Sequence, residues 1–144
     1  MKQIAENLKN VTTMKNNLPR ATYRLSNYEQ NILLPILMKG LKRKRGAENA
    51  ITNRQIVLAL RKHGLKINER CVRKVVNHIR TNDLVVGLMA SDAGFYIAQS
   101  EQEFIRYENR LLSREEALRQ VRMSIERQRR AMLSHRSQEQ VLLF

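Results

Sequence analysis

Apolar side chains recur at helical spacing in residues 67–80, INERCVRKVVNHIR. Val72, Val75, Val76 and Ile79 follow the i, i+3, i+4, i+7 order that places side chains on one face of a helix. The opposite face is polar and cationic, and it holds Arg70, Arg73, Lys74, Asn77 and Thr81. Such side chains reach phosphates or base edges, although a cationic outer face in isolation is more often a solvated one. The sequence of the neighbouring segments is therefore needed to distinguish the two interpretations.

A second amphipathic segment precedes this helix. Thr52 and Gln55 form an S/T-x-x-E/Q capping box, which predicts a helix running to about Lys62. Its inward positions are Ile56, Val57 and Leu60, with Ala59 at the margin. Gly64 then ends the helix and Asn68 can cap the next one. Two helices joined by a tight glycine turn, the second basic outside and apolar inside, predict a helix-turn-helix.

Two short runs rich in β-branched and aromatic residues follow, at 84–89 and 95–98. The link between them, residues 90–94, has turn chemistry, and Gly94 can take a positive φ. This predicts a β-hairpin, with residues 50–52 as a third small strand. A hairpin directly after the basic helix corresponds to the wing of a winged helix-turn-helix.

The segment before these elements is predicted as a mostly buried helix at about 27–41, started by the capping box Ser26–Glu29. Pro35 predicts a kink or a break near Leu34, because proline lacks an amide hydrogen and crowds the carbonyl four residues back. The loop that follows is strongly basic and carries Lys42, Arg43, Lys44 and Arg45. It is either a solvated linker or a phosphate contact.

From Ser100 the chain is predicted to be helical to about residue 133, with Ser113 either breaking the helix or lying within it. Apolar residues recur every seven positions at Phe104, Leu111, Leu118, Ile125 and Met132. The companion positions are irregular: Tyr107, Arg114, Val121 and Gln128. This weak coiled-coil pattern leaves two alternatives, a homodimer through the arm or a helix folded back on the preceding domain. The predicted domains are a flexible basic arm (1–25), the winged domain (26–99) and a C-terminal helical arm with a frayed tail (100–144).

Charge and composition limit the classes of partner that this chain can have. The formal net charge is +14, and residues 1–81 carry all of this excess. A surplus of this size implies a polyanionic partner, because self-repulsion adds nothing to stability. The chain has no apolar run of the length that a membrane helix needs, and its start lacks the apolar core of a signal peptide. Since Cys71 is the only cysteine, the expected compartment is a reducing cytoplasm.

The sequence gives little support for an enzymatic function. The three histidines, His63, His78 and His135, lack metal-ligand spacing. Cys71 and His78 are seven residues apart, about 10 Å along a helix axis, which is too far for a nucleophile and its base. No glycine-rich phosphate loop is present. We therefore expect neither an enzyme nor a cofactor nor a metal site, with Cys71 as a small core residue.

Three stretches together resemble small winged helix-turn-helix proteins of bacteriophages and prophages, particularly those of Bacteroidetes. They are LLPILMKGLKRKRGAENAITNRQIV, CVRKVVNHIRTNDLVVGLMASDAGFYIA and YENRLLSREEALRQVRMSIERQ. The resemblance covers most of residues 26–133 and is most specific from Val72 to the Gly94-Phe95-Tyr96 hairpin. It implies a phage-encoded DNA-binding domain acting in replication initiation or gene regulation. The chain departs from the pattern at the wing tip, where the usual Ser-Lys-Gly is Asp92-Ala93-Gly94, and this weakens the idea that the wing grips phosphate.

The sequence thus predicts a mainly α, α+β protein: a winged helix-turn-helix with a two- to three-stranded wing sheet and a long C-terminal helix. Its partner is expected to be double-stranded DNA. The predicted base contacts are Arg70, Arg73, Lys74 and Asn77, and the predicted backbone contacts are Lys42, Arg43, Lys44, Arg45, Arg54 and Arg80. The alternative is a protein-interaction module in a virion, a replisome or an inhibitor of a host enzyme. The acidic wing tip and the long arm favour that alternative.

Overall fold

The structure, a computed structural model, describes residues 24–135, which belong to two units dividing between Gln99 and Ser100. The described part of the first unit is mainly helical and contains a small antiparallel sheet, whereas that of the second is one long helix. The predicted mainly helical fold with a small sheet is therefore confirmed. The predictions for the N-terminal arm and the frayed tail fall almost entirely outside the described residues.

The first helical stretch changes its geometry beside Pro35. Residues 29–33 form a π-helix, Glu29–Leu33, and the α-helix α1, Leu34–Leu41, follows directly. The Leu34 amide donates to the carbonyl of Glu29, five residues back, so the wider π turn lies just before the residue that has no amide hydrogen to give. The predicted break near Leu34 thus takes the form of a change of helix type within a continuous helical segment.

The two central helices form where the capping residues predict them. Helix α2, Asn53–Lys62, begins with a complete capping box between Thr52 and Gln55. Helix α3, Glu69–Thr81, is capped by Asn68, whose side-chain oxygen accepts from the Cys71 amide at 2.8 Å. Between them Gly64 adopts φ +80°, a conformation that glycine takes without a steric penalty.

The hairpin is present, but its first strand is shorter than predicted. Strand β1, Leu88–Ser91, pairs antiparallel with β2, Gly94–Ile97, from Leu88 opposite Ile97 to Ser91 opposite Gly94. The predicted start at residue 84 is wrong, because Asp83 and Gly87 have positive φ and residues 84–87 form bends and turns. The predicted third strand is reduced to a single bridge, in which Ile51 and Phe95 exchange both backbone hydrogen bonds, at 2.8 and 2.9 Å.

Helix α3 lies at the centre of the hydrophobic core and packs against α1, α2 and the π-helix. Its predicted stripe is buried, with Val72, Val75 and Ile79 at 0% exposure and Val76 at 2%. The other elements supply most of the remaining core: Leu33, Leu37, Leu41, Ile56, Val57, Ile67, Val85 and Leu88. Burial of four side chains from one helix explains why α3 holds a fixed orientation.

The second unit contains helix α4, Glu101–His135, which runs without interruption for 35 residues. Ser100 begins it by accepting the Glu103 amide at 3.3 Å. Ser113 lies within the helix and does not break it. No helix within residues 24–135 combines the length and the apolar composition that a membrane span requires.

Candidate nucleic-acid interface

The outer face of α3 is formed by Arg70, Arg73 and Asn77, all of which are exposed. They project away from the buried valine stripe because they occupy the opposite side of the same helix. A guanidinium group presents donors in a planar fork and an Asn amide presents both a donor and an acceptor. These are the groups that recognise guanine and adenine edges in a major groove.

The two arginines of this face are not neutralised locally. Within residues 24–135, no carboxylate lies within salt-bridge distance of Arg70 or Arg73. Residues 24–99 contain 14 basic and 5 acidic side chains, a net charge of +9. The outer face therefore lies in a positive field that attracts a polyanion.

Lys74 is placed differently from the other predicted base contacts. Its ammonium forms a 2.9 Å salt bridge with Glu29, and the two side chains are 23% and 7% exposed. Because Lys74 is engaged in joining α3 to the π-helix, its charge is already balanced. Its role in this structure is to position α3.

Glu29 is the one charged residue of the described chain that is buried, at 6% exposure. Burial raises the pKa of its carboxyl group, but hydrogen bonds from the Ser26 amide and hydroxyl and from Lys74, with the nearby Lys74 charge, outweigh burial and lower the pKa below its ordinary value of 4.5. The Ser26 amide donates to Oε1 at 2.9 Å and the Glu29 amide donates to Ser26 Oγ at 3.1 Å. The carboxylate thus closes a capping box and pairs with Lys74 at the same time.

Three side chains hold the beginning of α3. Asn53, the first residue of α2, donates from Nδ2 to the carbonyl of Glu69 at 3.0 Å. Arg61 donates from Nε to the carbonyl of Ile67, and Tyr28 donates its hydroxyl to the carbonyl of Lys66, both at 2.9 Å. These bonds hold the beginning of α3, which carries Arg70 and Arg73.

The predicted backbone contacts on α2 and α3 differ in exposure. Arg54 is exposed and lies next to Asn53, so the Asn53–Glu69 bond brings its backbone to the beginning of α3. Arg80 is half-buried in the last turn of α3. Arg54 therefore lies near the beginning of α3 in the fold, whereas Arg80 lies in its last turn.

The basic loop after α1 is ordered by its attachment to the hairpin. Gly46 donates to the carbonyl of Ile97 at 2.9 Å, and Ile97 donates to the carbonyl of Lys44 at 2.7 Å. Lys42, Arg43 and Arg45 are exposed, whereas Lys44 is half-buried. The loop therefore presents three cations from a backbone held by β2, which favours the phosphate-contact interpretation over a loose linker.

The turn between β1 and β2 carries no cation. Asp92 and Ala93, between the strands, are exposed. The Ala93 amide donates to Ser91 Oγ at 3.2 Å, and the Ser91 hydroxyl donates to the carbonyl of Gly94 at 3.2 Å. An exposed carboxylate repels phosphate, so the tip of this hairpin is unsuited to gripping a DNA backbone.

The sequence does not reveal the long-range partners of two residues of the site, Glu29 and Asn53. The capping box identified Glu29 as a helix-start residue, and its second partner is 45 positions away in the chain. Asn53 has no distinguishing pattern, because it bonds a backbone carbonyl 16 residues away. A buried acid in a basic domain is a signal that it has a cationic partner, but only the tertiary structure identifies Lys74.

Cys71 packs at the margin of the core and is partly buried, in line with the predicted small core residue. Within residues 24–135, no three His, Cys, Asp or Glu side chains come together as a metal site would require. Comparisons of the chain with protein-family models, with curated proteins and with solved structures found no match.

Proposed function

We propose that this protein binds duplex DNA through α3, with Arg70, Arg73 and Asn77 entering the major groove. The observation that carries the proposal is the exposed, locally unpaired arginine pair on the outer face of a helix whose inner face is wholly buried. A helix held so firmly presents its side chains at fixed positions, as base recognition requires. In this proposal residues 24–99 form a winged helix-turn-helix, with β1 and β2 as the wing.

The remaining cations are assigned to the sugar-phosphate backbone. Lys42, Arg43 and Arg45 approach phosphates from the loop held by β2, and Arg54 does so from the first turn of α2. Lys44 and Arg80 are half-buried and contribute less in this arrangement. The resemblance of the sequence to phage and prophage winged helix-turn-helix proteins supports a role in replication initiation or gene regulation.

Salt dependence tests the proposal directly. Each phosphate contact adds about 0.9 to the slope of log affinity against log salt, so the four assigned contacts predict roughly a 150-fold loss between about 50 and 200 mM salt. Fluorescence polarisation on a labelled random duplex measures this loss. An affinity that does not change with salt, or no detectable binding at the lower salt, would contradict the proposal.

Substitution of the outer face tests the assignment of residues. Arg73→Ala is expected to weaken binding to a selected high-affinity site by about 1–3 kcal/mol, the range for a bidentate base contact. Arg127→Ala, an exposed arginine of α4, is the matched control and should leave affinity unchanged. Equal losses in the two variants would show that net charge, rather than the outer face of α3, determines binding.

The alternative, a protein-interaction module, is favoured by the exposed carboxylate of Asp92 at the wing tip. It predicts weak binding to random duplex DNA that does not respond to Arg73→Ala. The same two measurements therefore separate the alternatives.

A further inference from the structure

Helix α4 has an exposed apolar seam along its whole length. Its seven-residue positions, Phe104, Leu111, Leu118, Ile125 and Met132, are between 40% and 73% exposed, and Val121 is 61% exposed. A helix of 35 residues is about 52 Å long. Coiled coils pair helices through two neighbouring rows of this spacing, and in α4 one row is apolar throughout while its companion row, Tyr107, Arg114, Val121 and Gln128, is mixed. A second helix of matching length and pattern would cover this seam.

Charge along α4 is divided between its two halves. Residues 101–116 carry 5 acidic and 3 basic side chains, whereas residues 117–135 carry 5 basic and 1 acidic side chain. The helix dipole favours acids only in the first turn and bases only in the last, so it does not account for Glu108, Glu115 or Arg122 in the interior. A second copy running in the opposite direction would place each acidic half beside a basic half.

Individual residues of α4 show the same charge complementarity between two antiparallel copies. One of the two rows that flank the seam consists of Glu108, Glu115, Arg122 and Arg129. In an antiparallel pair this row faces its own copy, and alignment of the central Leu118 with Val121 of the second copy sets Glu108 opposite Arg129 and Glu115 opposite Arg122. The four contacts that this row makes in the dimer are then all between opposite charges, which is how flanking residues set orientation in coiled coils.

A parallel pair is disfavoured by the same residues. It would set Arg114 against Arg114 of the second copy in the seam, whereas the antiparallel alignment sets Arg114 beside Ile125, where its long aliphatic stem can cover apolar surface. It would also turn this row toward the second flanking row, so that Glu115 would face Arg110 but Arg122 and Arg129 would face the uncharged Ala117 and Ser124. In the structure Arg122 has only a 3.9 Å contact with Glu126 and is 69% exposed, so it is accessible to a partner.

We propose that α4 is a self-association helix that pairs antiparallel with α4 of a second copy of this chain. This inference goes beyond the proposed DNA binding and does not depend on it. Pairing through α4 would join two DNA-binding units into one particle with two-fold symmetry, the arrangement that reads a two-fold site.

A charge-exchange experiment on the full chain, without nucleic acid, tests the pairing. Analytical ultracentrifugation is expected to give twice the 16.9 kDa mass of one chain. Glu108→Arg/Glu115→Arg makes the flanking row entirely basic, and Arg122→Glu/Arg129→Glu makes it entirely acidic. Each double variant should weaken self-association roughly 100-fold, since four attractive contacts become repulsive. An equimolar mixture of the two should recover the dimer, because every contact between them is again between opposite charges.

Matched controls change the same charge on the far side of α4. Glu116→Arg and Arg106→Glu/Arg127→Glu alter side chains outside the seam and its flanking row, so both variants should remain dimers. Helix content by circular dichroism confirms that α4 is retained in every variant. A monomeric or larger wild-type particle would overturn the proposal. A dimeric Arg122→Glu/Arg129→Glu variant would also overturn it, because parallel pairing leaves those two positions without a charged neighbour.

Discussion

The substitution Glu29→Gln isolates the buried ion pair that positions α3. The amide keeps the size of the carboxylate and can still accept the Ser26 amide hydrogen, but it removes the charge that balances Lys74. Loss of one partner from a buried pair costs about 3–5 kcal/mol, and a hydrogen bond to a charged group contributes about 1.5–3 kcal/mol. Lys74 is 23% exposed, so its ammonium can turn toward water, and the lower end of these ranges applies.

We therefore expect Glu29→Gln to lower the free energy of unfolding of residues 24–99 by about 2 kcal/mol, roughly 30-fold in the unfolding equilibrium constant. For a domain of this size the melting temperature should fall by roughly 8–16 °C. Urea unfolding followed by circular dichroism measures the loss. Hydrogen exchange of the Val72, Val75 and Val76 amides assigns it to this unit, because α4 contributes nothing to those signals.

The dependence of this loss on pH provides a second readout. Because the pKa of Glu29 is lowered in the folded state, the ionised carboxylate stabilises the fold above its ordinary pKa of 4.5, and this contribution is lost as pH falls through the lower folded-state pKa. The difference in unfolding free energy between wild type and Glu29→Gln should stay constant from about pH 7 to pH 5 and become smaller below about pH 4.5. A difference that widens on acidification would contradict the assigned role of Glu29.

The matched control is Glu126→Gln on α4. Glu126 contacts Arg130 at 2.8 Å and Arg122 at 3.9 Å, but all three side chains are at least 36% exposed. Exposed pairs of this kind contribute less than about 0.5 kcal/mol, because water already solvates both charges. If Glu29→Gln were as mild as Glu126→Gln at neutral pH, burial would not be what makes the Glu29–Lys74 pair important.

Two further substitutions test local features of the first unit. Gly94→Ala should destabilise this unit by about 2 kcal/mol or more. Gly94 has φ +120°, and an added Cβ would clash with the carbonyl oxygen of Ile51 and lie 2.8 Å from the Thr52 amide nitrogen. Hydrogen exchange of the Tyr96 and Ile97 amides measures the effect, and exchange as slow as in wild type would contradict this prediction. Asn68→Ala should lower the free energy of unfolding by about 1 kcal/mol through loss of the cap on the Cys71 amide, whereas Asn68→Asp should retain most of it, as measured by urea unfolding.

Local patterns determined the helices of this protein to within a few residues. The capping boxes at Ser26 and Thr52 and the cap at Asn68 start helices because their side chains and the amides they satisfy are at most three residues apart. The buried stripe of α3 was likewise predictable, since helical periodicity alone brings Val72, Val75, Val76 and Ile79 together. The first strand was predicted too long because the positive φ of Asp83 and Gly87 interrupts a run that is apolar throughout.

Only the tertiary structure decided which cations remain available. Arg73 and Lys74 are neighbours in the chain and both lie on the polar side of α3, so helical periodicity assigns them the same role. Glu29, 45 residues before Lys74, neutralises the lysine and leaves the arginine exposed. The physical reason is that periodicity reports which side chains leave the core of their own helix, whereas ion pairing depends on which distant residue the fold brings within about 3 Å.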